Sequence, residues 1–376
     1  MCIEVLILKT VRVAKLEDKV QFQNLWNISF TDSDEFRSWF FENRFIPDYS
    51  ICIEEDGHIV SEVQSIPYNI KVRESILPAT MMVGACTHPN YSSRGYMKQL
   101  YTEYMKYIHD LGVVLCAHTP EVLSTYFYVG HLPVSDTAFI EIEKAEKIEA
   151  EKLISVNLCQ DVSPLLKCYI KAAQKYSGII QRSFTDFKLK CDDYNSDGGK
   201  CIALWENGEI LGYGIYYNTA EMIYGEEIMA LNAEAEQAVV NGLINLGIGK
   251  KVKIKLPPDT KSRSKQGKFI IFPHNVLGLA NVQKLLKALG KEIEISVKVN
   301  DDILPENNGI FNLKGEKTNK TPAFEVSAGN LTQFMIGYKT ISQLQSEGNA
   351  IIYNKEETEF LDMALPLQVC HIVDEY

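Results

Sequence analysis

Residues 84–107, GACTHPNYSSRGYMKQLYTEYMKY, constrain the fold more than any other stretch, because the hydrophobic period changes inside it. Upstream, residues 50–88 alternate apolar and polar in three short runs, YSICIEEDG, HIVSEVQSIPYNIKV and ILPATMMVGACTH, two of them joined at the turn signal Asp56-Gly57. Runs of period two separated by such turns predict an antiparallel meander. Downstream, Met97, Leu100, Tyr101, Tyr104, Met105 and Ile108 fall at helical spacing, and Gly112 stands at a plausible helix end. The unit is therefore strand, short loop, amphipathic helix. Backbone N–H groups at a helix start are unsatisfied and sit at the positive end of the macrodipole, so they bind an anion well. Gly95 either keeps a side chain out of the way of a pyrophosphate or only shapes a tight turn; the local pattern allows both. VVLCAH (113–118) then reads as a buried strand, STYFYVG as a helical turn ending at Gly130, and SDTAFIEIE as one more strand.

At 376 residues the chain exceeds one ordinary core and fits two or three domains. The charged stretch EIEKAEKIEAEK near residues 141–152 is the expected first boundary. After it a second mixed region repeats the order, with a helix near 160–176, strands around KCIALWENGEILGYGIYY, a hairpin turn at Glu206-Asn207-Gly208-Glu209, and a helix in AEAEQAVVNGLINLG. It carries no glycine loop between strand and helix. DTKSRSKQGK (259–268) reads as an exposed basic loop. From about residue 289 the period returns to two: Ile293, Ile295, Val297 and Val299 share one face, LPENNG turns, and GIFNLKG and PAFEVS add strands. Two helices, NLTQFMIGYKT and ISQLQSEG, precede a short AIIY strand and a largely apolar tail ending in Tyr376. The expected division is 1–150, 151–288 and 289–376, each unit of mixed α/β (α+β) class.

Composition narrows the function. Nine cysteines are scattered and never form CxxC, which points to reduced thiols in a cytoplasm and to neither a zinc site nor a disulfide framework. No apolar run reaches the roughly 18 residues that a membrane span needs, so no membrane insertion is expected, and the opening segment reads as a strand and not as a signal peptide. A formal net charge of −11 argues against nucleic-acid binding and leaves a cationic ligand or plain solubility as its meaning.

The loop and helix resemble the GNAT acetyltransferases, whose fingerprint is R/Q-x-x-G-x-G/A across such a junction. Here it reads Ser92-Ser93-Arg94-Gly95-Tyr96-Met97: Gly95 matches, Ser92 replaces Arg/Gln, and Met97 replaces the small residue. THPNYSSRGYMKQL is similar to the HP-x-Y-R-x-x-G-x-M-x-x-L form of the Eis-like (enhanced intracellular survival) acetyltransferases. That resemblance implies an N-terminal GNAT domain, a degenerate second GNAT-like domain and a C-terminal sterol-carrier-like domain. Three further segments agree with it. STYFYVGH resembles the family's FY-x-x-x-G-F segment, FPHNVLGLANVQKLLKALG its connector into the third domain, and PLQVCHIVDEY its chain end.

The resemblance implies acetyl-CoA as co-substrate and no metal. Ala85, Cys86 and Thr87 would pair with the pantetheine, Ser93, Arg94, Gly95, Tyr96, Met97 and Lys98 would hold the pyrophosphate, and Glu121 and Val122 would complete the cofactor site. Tyr126 takes the place of the family's general acid, although Phe127 and Tyr128 are aromatic neighbours and His131 stands where the family has an aromatic residue. The α-carboxylate of Tyr376 takes the place of the general base. Direct attack of an amine needs no enzyme nucleophile, so Cys86 reads as a packing residue. Asp32, Asp34 and Glu35 are candidates for attracting a cationic acceptor, a small-molecule amine or a lysine. Two rival functions follow: a non-catalytic acyl-CoA sensor, given Ser92 and Met97, and a lipid- or sterol-binding protein acting through the third domain. Assembly is common among similar proteins, which leaves a homo-oligomer open.

Overall fold

A computed structural model describes residues 9–120, 122–290 and 292–375. The chain starts with strand β1 (Lys9–Val13), helices α1 (Lys19–Ser29) and α2 (Asp34–Asn43), and the meander β2 (Ile51–Glu55), β3 (His58–Val72) and β4 (Ser75–Thr87). The β2–β3 hairpin turns at Asp56 and Gly57, with φ of 50° and 82°, the left-handed pair that a two-residue hairpin demands. Helix α3 (Tyr96–Asp110), β5 (Leu115–His118), a 3-10 helix over Leu123–Val129 and β6 (Leu132–Ile142) follow. The fully buried face of α3, Leu100, Tyr101, Tyr104 and Ile108, is the helical stripe read from the sequence.

The second region runs β7 (Ile154–Val156), α4 (Val162–Ala173), the two-residue strands β8 (Tyr176–Ser177) and β9 (Ile179–Ile180), and α5 (Phe184–Ser196). It continues through β10 (Lys200–Glu206), β11 (Glu209–Asn218), β12 (Met222–Ala230), α6 (Ala233–Leu246) and β13 (Lys251–Leu256). The stretch that resembles a connector is in fact a long strand, β14 (Lys268–Leu279), with helix α7 (Val282–Leu289) after it. β14 returns to the first region and inserts between β5 and β6, while β6 pairs on its other side with β13. One mixed sheet of thirteen strands therefore runs through both regions among the described residues.

The last unit has its own sheet of β15 (Ser296–Asn300), β16 (Gly309–Asn312), β17 (Phe324–Ser327) and β18 (Ala350–Ile352), with helices α8 (Ala328–Ile336), α9 (Ile341–Ser346) and α10 (Lys355–Ala364). Every residue of α8 is buried, because that helix packs on β6 and β14 as well as on its own sheet. Its core, with Phe311, Phe324 and Phe334 fully buried, is continuous with the core of the first region. The tail ends in β19 (Val369–Cys370), which pairs with β8 and carries the last residues back to the second region. No helix of the described residues is long and apolar enough to cross a membrane.

Three imidazoles, His118, His131 and His371, are buried in this framework, and burial works against the charged form of each. Burial lowers His131 and His371 to about 3, below the value of about 6.5 that they regain on unfolding. Between those values the unfolded chain binds more protons, so stability falls as pH drops. Equilibrium denaturation should show stability flat above about pH 7 and declining from about pH 6 downward; a flat profile to pH 5 contradicts the neutral, buried assignment.

Candidate active site

β4 and β5 run parallel and pair only over Ala79–Met81 and Leu115–Ala117. Beyond Met81 they part. The cause lies in β4, where Gly84 and Ala85 stand opposite the single residue Val63 of β3; this bulge turns the strand away from its parallel neighbour. Gly84 has φ of 59°, and a Cβ there would lie 2.4 Å from the buried Trp26 ring, so only glycine fits. The wedge holds a cavity of about 380 Å3 lined by Phe30, Met82, Val83, Gly84, Ala85, His118, Thr119, Pro120, Val122, Thr125 and Tyr126. Among the described residues the β4 edge facing it has no strand partner beyond Met81, which leaves backbone groups for a bound amide chain.

At the far end of β4, Ser93 and Gly95 take left-handed φ of 63° and 75°. Gly95 is the N-cap of α3, and no side chain caps that helix. A Cβ on Gly95 would meet nothing within 4 Å, so the space on that side of the turn is open. The left-handed φ is what the turn reading of Gly95 asks for. Arg94 lies beside it, 3.6 Å from Glu55 and over the Tyr91 ring at 4.7 Å, and Tyr96 donates to Glu55. Lys98 is exposed and Met97 half-buried. The uncapped donors and adjacent cation fit a pyrophosphate. The corresponding helix of the second region differs: at α6 the Asn232 side chain accepts from the Ala235 N–H at 2.8 Å, so that N-terminus already has its acceptor.

Tyr126 enters the wedge from the 3-10 helix. Its ring meets His118 edge-on at 4.2 Å and Tyr101 at 5.7 Å, and burial pushes its phenol up to about 12. It is protonated at neutral pH, as a proton donor must be. Phe127 and Tyr128, the other aromatic candidates, are exposed. Behind Tyr126 runs a fully buried chain, with His118 Nε2 2.8 Å from His131 Nδ1 and the Tyr101 hydroxyl 2.7 Å from His131 Nε2. His131 fits only because Gly278 of β14 faces it; a Cβ there would lie 1.6 Å from Nε2.

Of the three β4 residues read as pantetheine partners, Ala85 lines the cavity. Cys86 is buried and burial raises its thiol above the ordinary range, so it is a packing thiol and no nucleophile. The Thr87 hydroxyl lies 2.7 Å from that of Ser61. Glu121 and Tyr376 lie outside the described residues.

A second cavity, of about 390 Å3, is strongly acidic, with Asp32, Asp193, Asp197, Glu226 and Glu375 set against a single cation, Lys190. Asp32 reaches it from the α1–α2 connection, with Oδ2 accepting from Trp26 Nε1 at 2.8 Å. Asp34 and Glu35 do not line it; Asp34 pairs with Arg37. Glu375 is held by Lys255, by His274 at 2.7 Å, and through its carbonyl by Lys190 at 2.9 Å. Burial alone would raise its carboxyl, and Lys255 beside it instead holds it at about 2. Residue 374 is fixed as firmly, since the buried Arg182 donates to Asp374 at 3.1 Å and to both oxygens of Glu227. From sequence the tail reaches the active site only through Tyr376; the contacts of Asp374 and Glu375 and the carboxylates of α5 and β12 were not found there, although the Asp374-Glu375 pair in an apolar tail was the available signal.

Residues 10–130 match the model of the acetyltransferase (GNAT) domain. The first unit is a GNAT acetyltransferase domain. Residues 282–369 match the sterol carrier protein domain. Among curated proteins no sequence match is found. Solved structures resemble the whole chain: a probable N-acyltransferase from Enterococcus faecalis has a TM-score of 0.83 at 16% identity, covering 99% of this chain and 100% of that one. Eis1 from Mycobacterium abscessus gives 0.74 at 16%, covering 98% and 100%. A GCN5-related N-acetyltransferase from Anabaena variabilis gives 0.81 at 17%, also covering 98% and 100%. These similarities establish the shared fold: a GNAT domain joined to a further mixed region and a separate, smaller α+β domain at the C-terminal end. GNAT domains use acetyl-CoA as co-substrate, and the wedge between β4 and β5 of this one is lined by Ala85 on one wall and Tyr126 on the other. Among the described residues, no group of three or more His, Cys, Asp or Glu is placed to hold a metal ion.

Proposed function

We propose that the protein transfers an acetyl group from acetyl-CoA to a primary amine of a small cationic molecule or a lysine. The observation that carries this is a pair of cavities reached by the α1–α2 connection at Phe30 and Asp32, a wedge bearing a protonated tyrosine and an acidic pocket that also receives the chain's tail. The start of α3, with Ser93 to Lys98, would take the pyrophosphate. The free edge of β4 from Met82 onward would take the pantetheine amides, with Val122 on the opposite wall.

In this reading the amine is drawn in as a cation by Asp32, Asp193, Asp197 and Glu226. It loses a proton to a base, for which the resemblance of the tail nominates the Tyr376 α-carboxylate. Its nitrogen then attacks the thioester carbon, and the carbonyl oxygen takes on negative charge beside the backbone N–H groups of the Gly84–Ala85 bulge. As the C–S bond breaks, the Tyr126 hydroxyl protonates the departing thiolate, and the nitrogen gives up its second proton, which restores the hydroxyl. A new amide and free thiol leave, and no covalent enzyme intermediate forms.

The test is acetyl-CoA-dependent thiol release across polyamines, aminoglycosides, amino acids and basic peptides, against the rate without acceptor. Release with at least one cationic class is expected. Acetyl-CoA binding without release for any amine would overturn the enzyme reading in favour of a sensor.

A further inference from the structure

A cavity of about 700 Å3, larger than either of the two above, adjoins the wedge and has no part in the steps assigned so far. Its walls are the 3-10 helix after β5 on one side and the middle of β14 on the other, and it closes against the tail at Glu375. Val122, Leu123, Phe127 and Phe272 give it an apolar lining, with Val122, Phe127 and Phe272 each 40% or more exposed. Such rings are held in place and left uncovered: Phe272 stacks on Phe139 at 5.3 Å and 9°. The polar end is occupied, since His274 and Glu375 pair with each other. The cavity is continuous with the wedge, sharing Thr119, Pro120 and Val122, and touches the acidic pocket only through Glu375. Its volume is that of a small-ligand site, and its lining suits neither a phosphate nor a polyamine.

We propose that this cavity is a subsite for an unbranched apolar chain carried by one of the two substrates. Two sources share that chemistry: the acyl group of a thioester longer than acetyl, or an alkyl arm on the acceptor amine. The three residues shared with the wedge put the cavity mouth beside the position assigned to the thioester. The inference depends on reading the wedge as the acyl-CoA site, and its test separates the two.

Calorimetry with S-alkyl-CoA thioethers of two to ten carbons measures the first source without turnover. A series of n-alkylamines titrated into the CoA-saturated protein measures the second. Affinity should rise roughly threefold to fourfold per methylene in one series, over several carbons, before levelling. A rise with the thioethers assigns the cavity to the acyl chain, and a rise with the amines assigns it to the acceptor. Ser124→Trp, which fills the cavity, and Phe272→Asp, which makes it polar, should each flatten the slope while leaving S-ethyl-CoA affinity within about twofold. Flat slopes in both series, with S-ethyl-CoA still bound, overturn the subsite alone, and so does a slope that survives both substitutions. Failure of S-ethyl-CoA to bind overturns the reading of the wedge and the subsite with it.

Discussion

Tyr126→Phe is expected to lower kcat for amine acetylation by roughly 10²–10³-fold while leaving acetyl-CoA affinity within about twofold, since losing a positioned acid typically costs that much. The substitution removes one oxygen and keeps the ring that packs on His118 and Tyr101. Among the described residues that hydroxyl has no hydrogen-bond partner, so its loss strands no neighbour and should leave the fold intact. The phenol donates only when the thiolate departs, so the effect belongs in kcat and kcat/KM equally, the pattern of an interaction made in the transition state. Steady-state kinetics beside calorimetry separate the alternatives. An equal loss of cofactor affinity would make Tyr126 a wall of the cofactor site and remove it from the proton transfer.

Arg182→Met is expected to destabilise the protein by about 3–5 kcal/mol, the usual cost of removing one partner from a buried ion network. Arg182 is fully buried, bridges Glu227 and Asp374, and lies 4.2 Å over the Tyr169 ring. Burial alone would raise Glu227; the guanidinium and the Tyr213 hydroxyl at 2.6 Å hold it below its ordinary value. Without the cation two carboxylates remain in a dry interior, and they must take up protons or open the packing. Chemical denaturation of the variant, and of Arg182→Met combined with Glu227→Gln and Asp374→Asn, checks this. The triple change should recover most of the loss, because the cost comes from unpaired charge and not from lost contact area. The network also fixes the tail, so the single variant should release the last residues to proteolysis before the core unfolds.

Much of the architecture could be read from local pattern because local physics decides it. The Asp56-Gly57 and Asn207-Gly208 hairpins have left-handed turns that few other residue pairs allow, and the α3 stripe buries the face its spacing predicts. What escaped was decided at long range. β14 carries the run Lys268–Phe272, in which five consecutive residues are exposed, so its period says nothing about the face it presents. Its insertion between β5 and β6, about 150 residues upstream, follows from sheet completion and not from its own sequence. Helix α10 escaped for a different reason. Its sequence is mostly polar and few of its residues are buried, although Asn354 caps it by accepting from Glu357 and two acidic residues fill the first turn.

The candidate site divides along the same line. The α3 start and the Tyr126 segment are contiguous motifs and were named from sequence. The sequence marked Ala85, Cys86 and Thr87 but not the bulge at Gly84, because Trp26, which makes glycine necessary there, comes from a distant helix. The acidic pocket gathers residues from α1–α2, α5, β11, β12 and the tail, and no single stretch announces such an assembly.

The most direct test of the account is the structure of the protein with CoA bound. The pyrophosphate is expected on the N–H groups of Tyr96 to Lys98, the pantetheine along the free edge of β4, and the sulfur within about 3.5 Å of the Tyr126 hydroxyl. CoA bound on any other surface, or a sulfur remote from Tyr126 with the pyrophosphate away from α3, would contradict it.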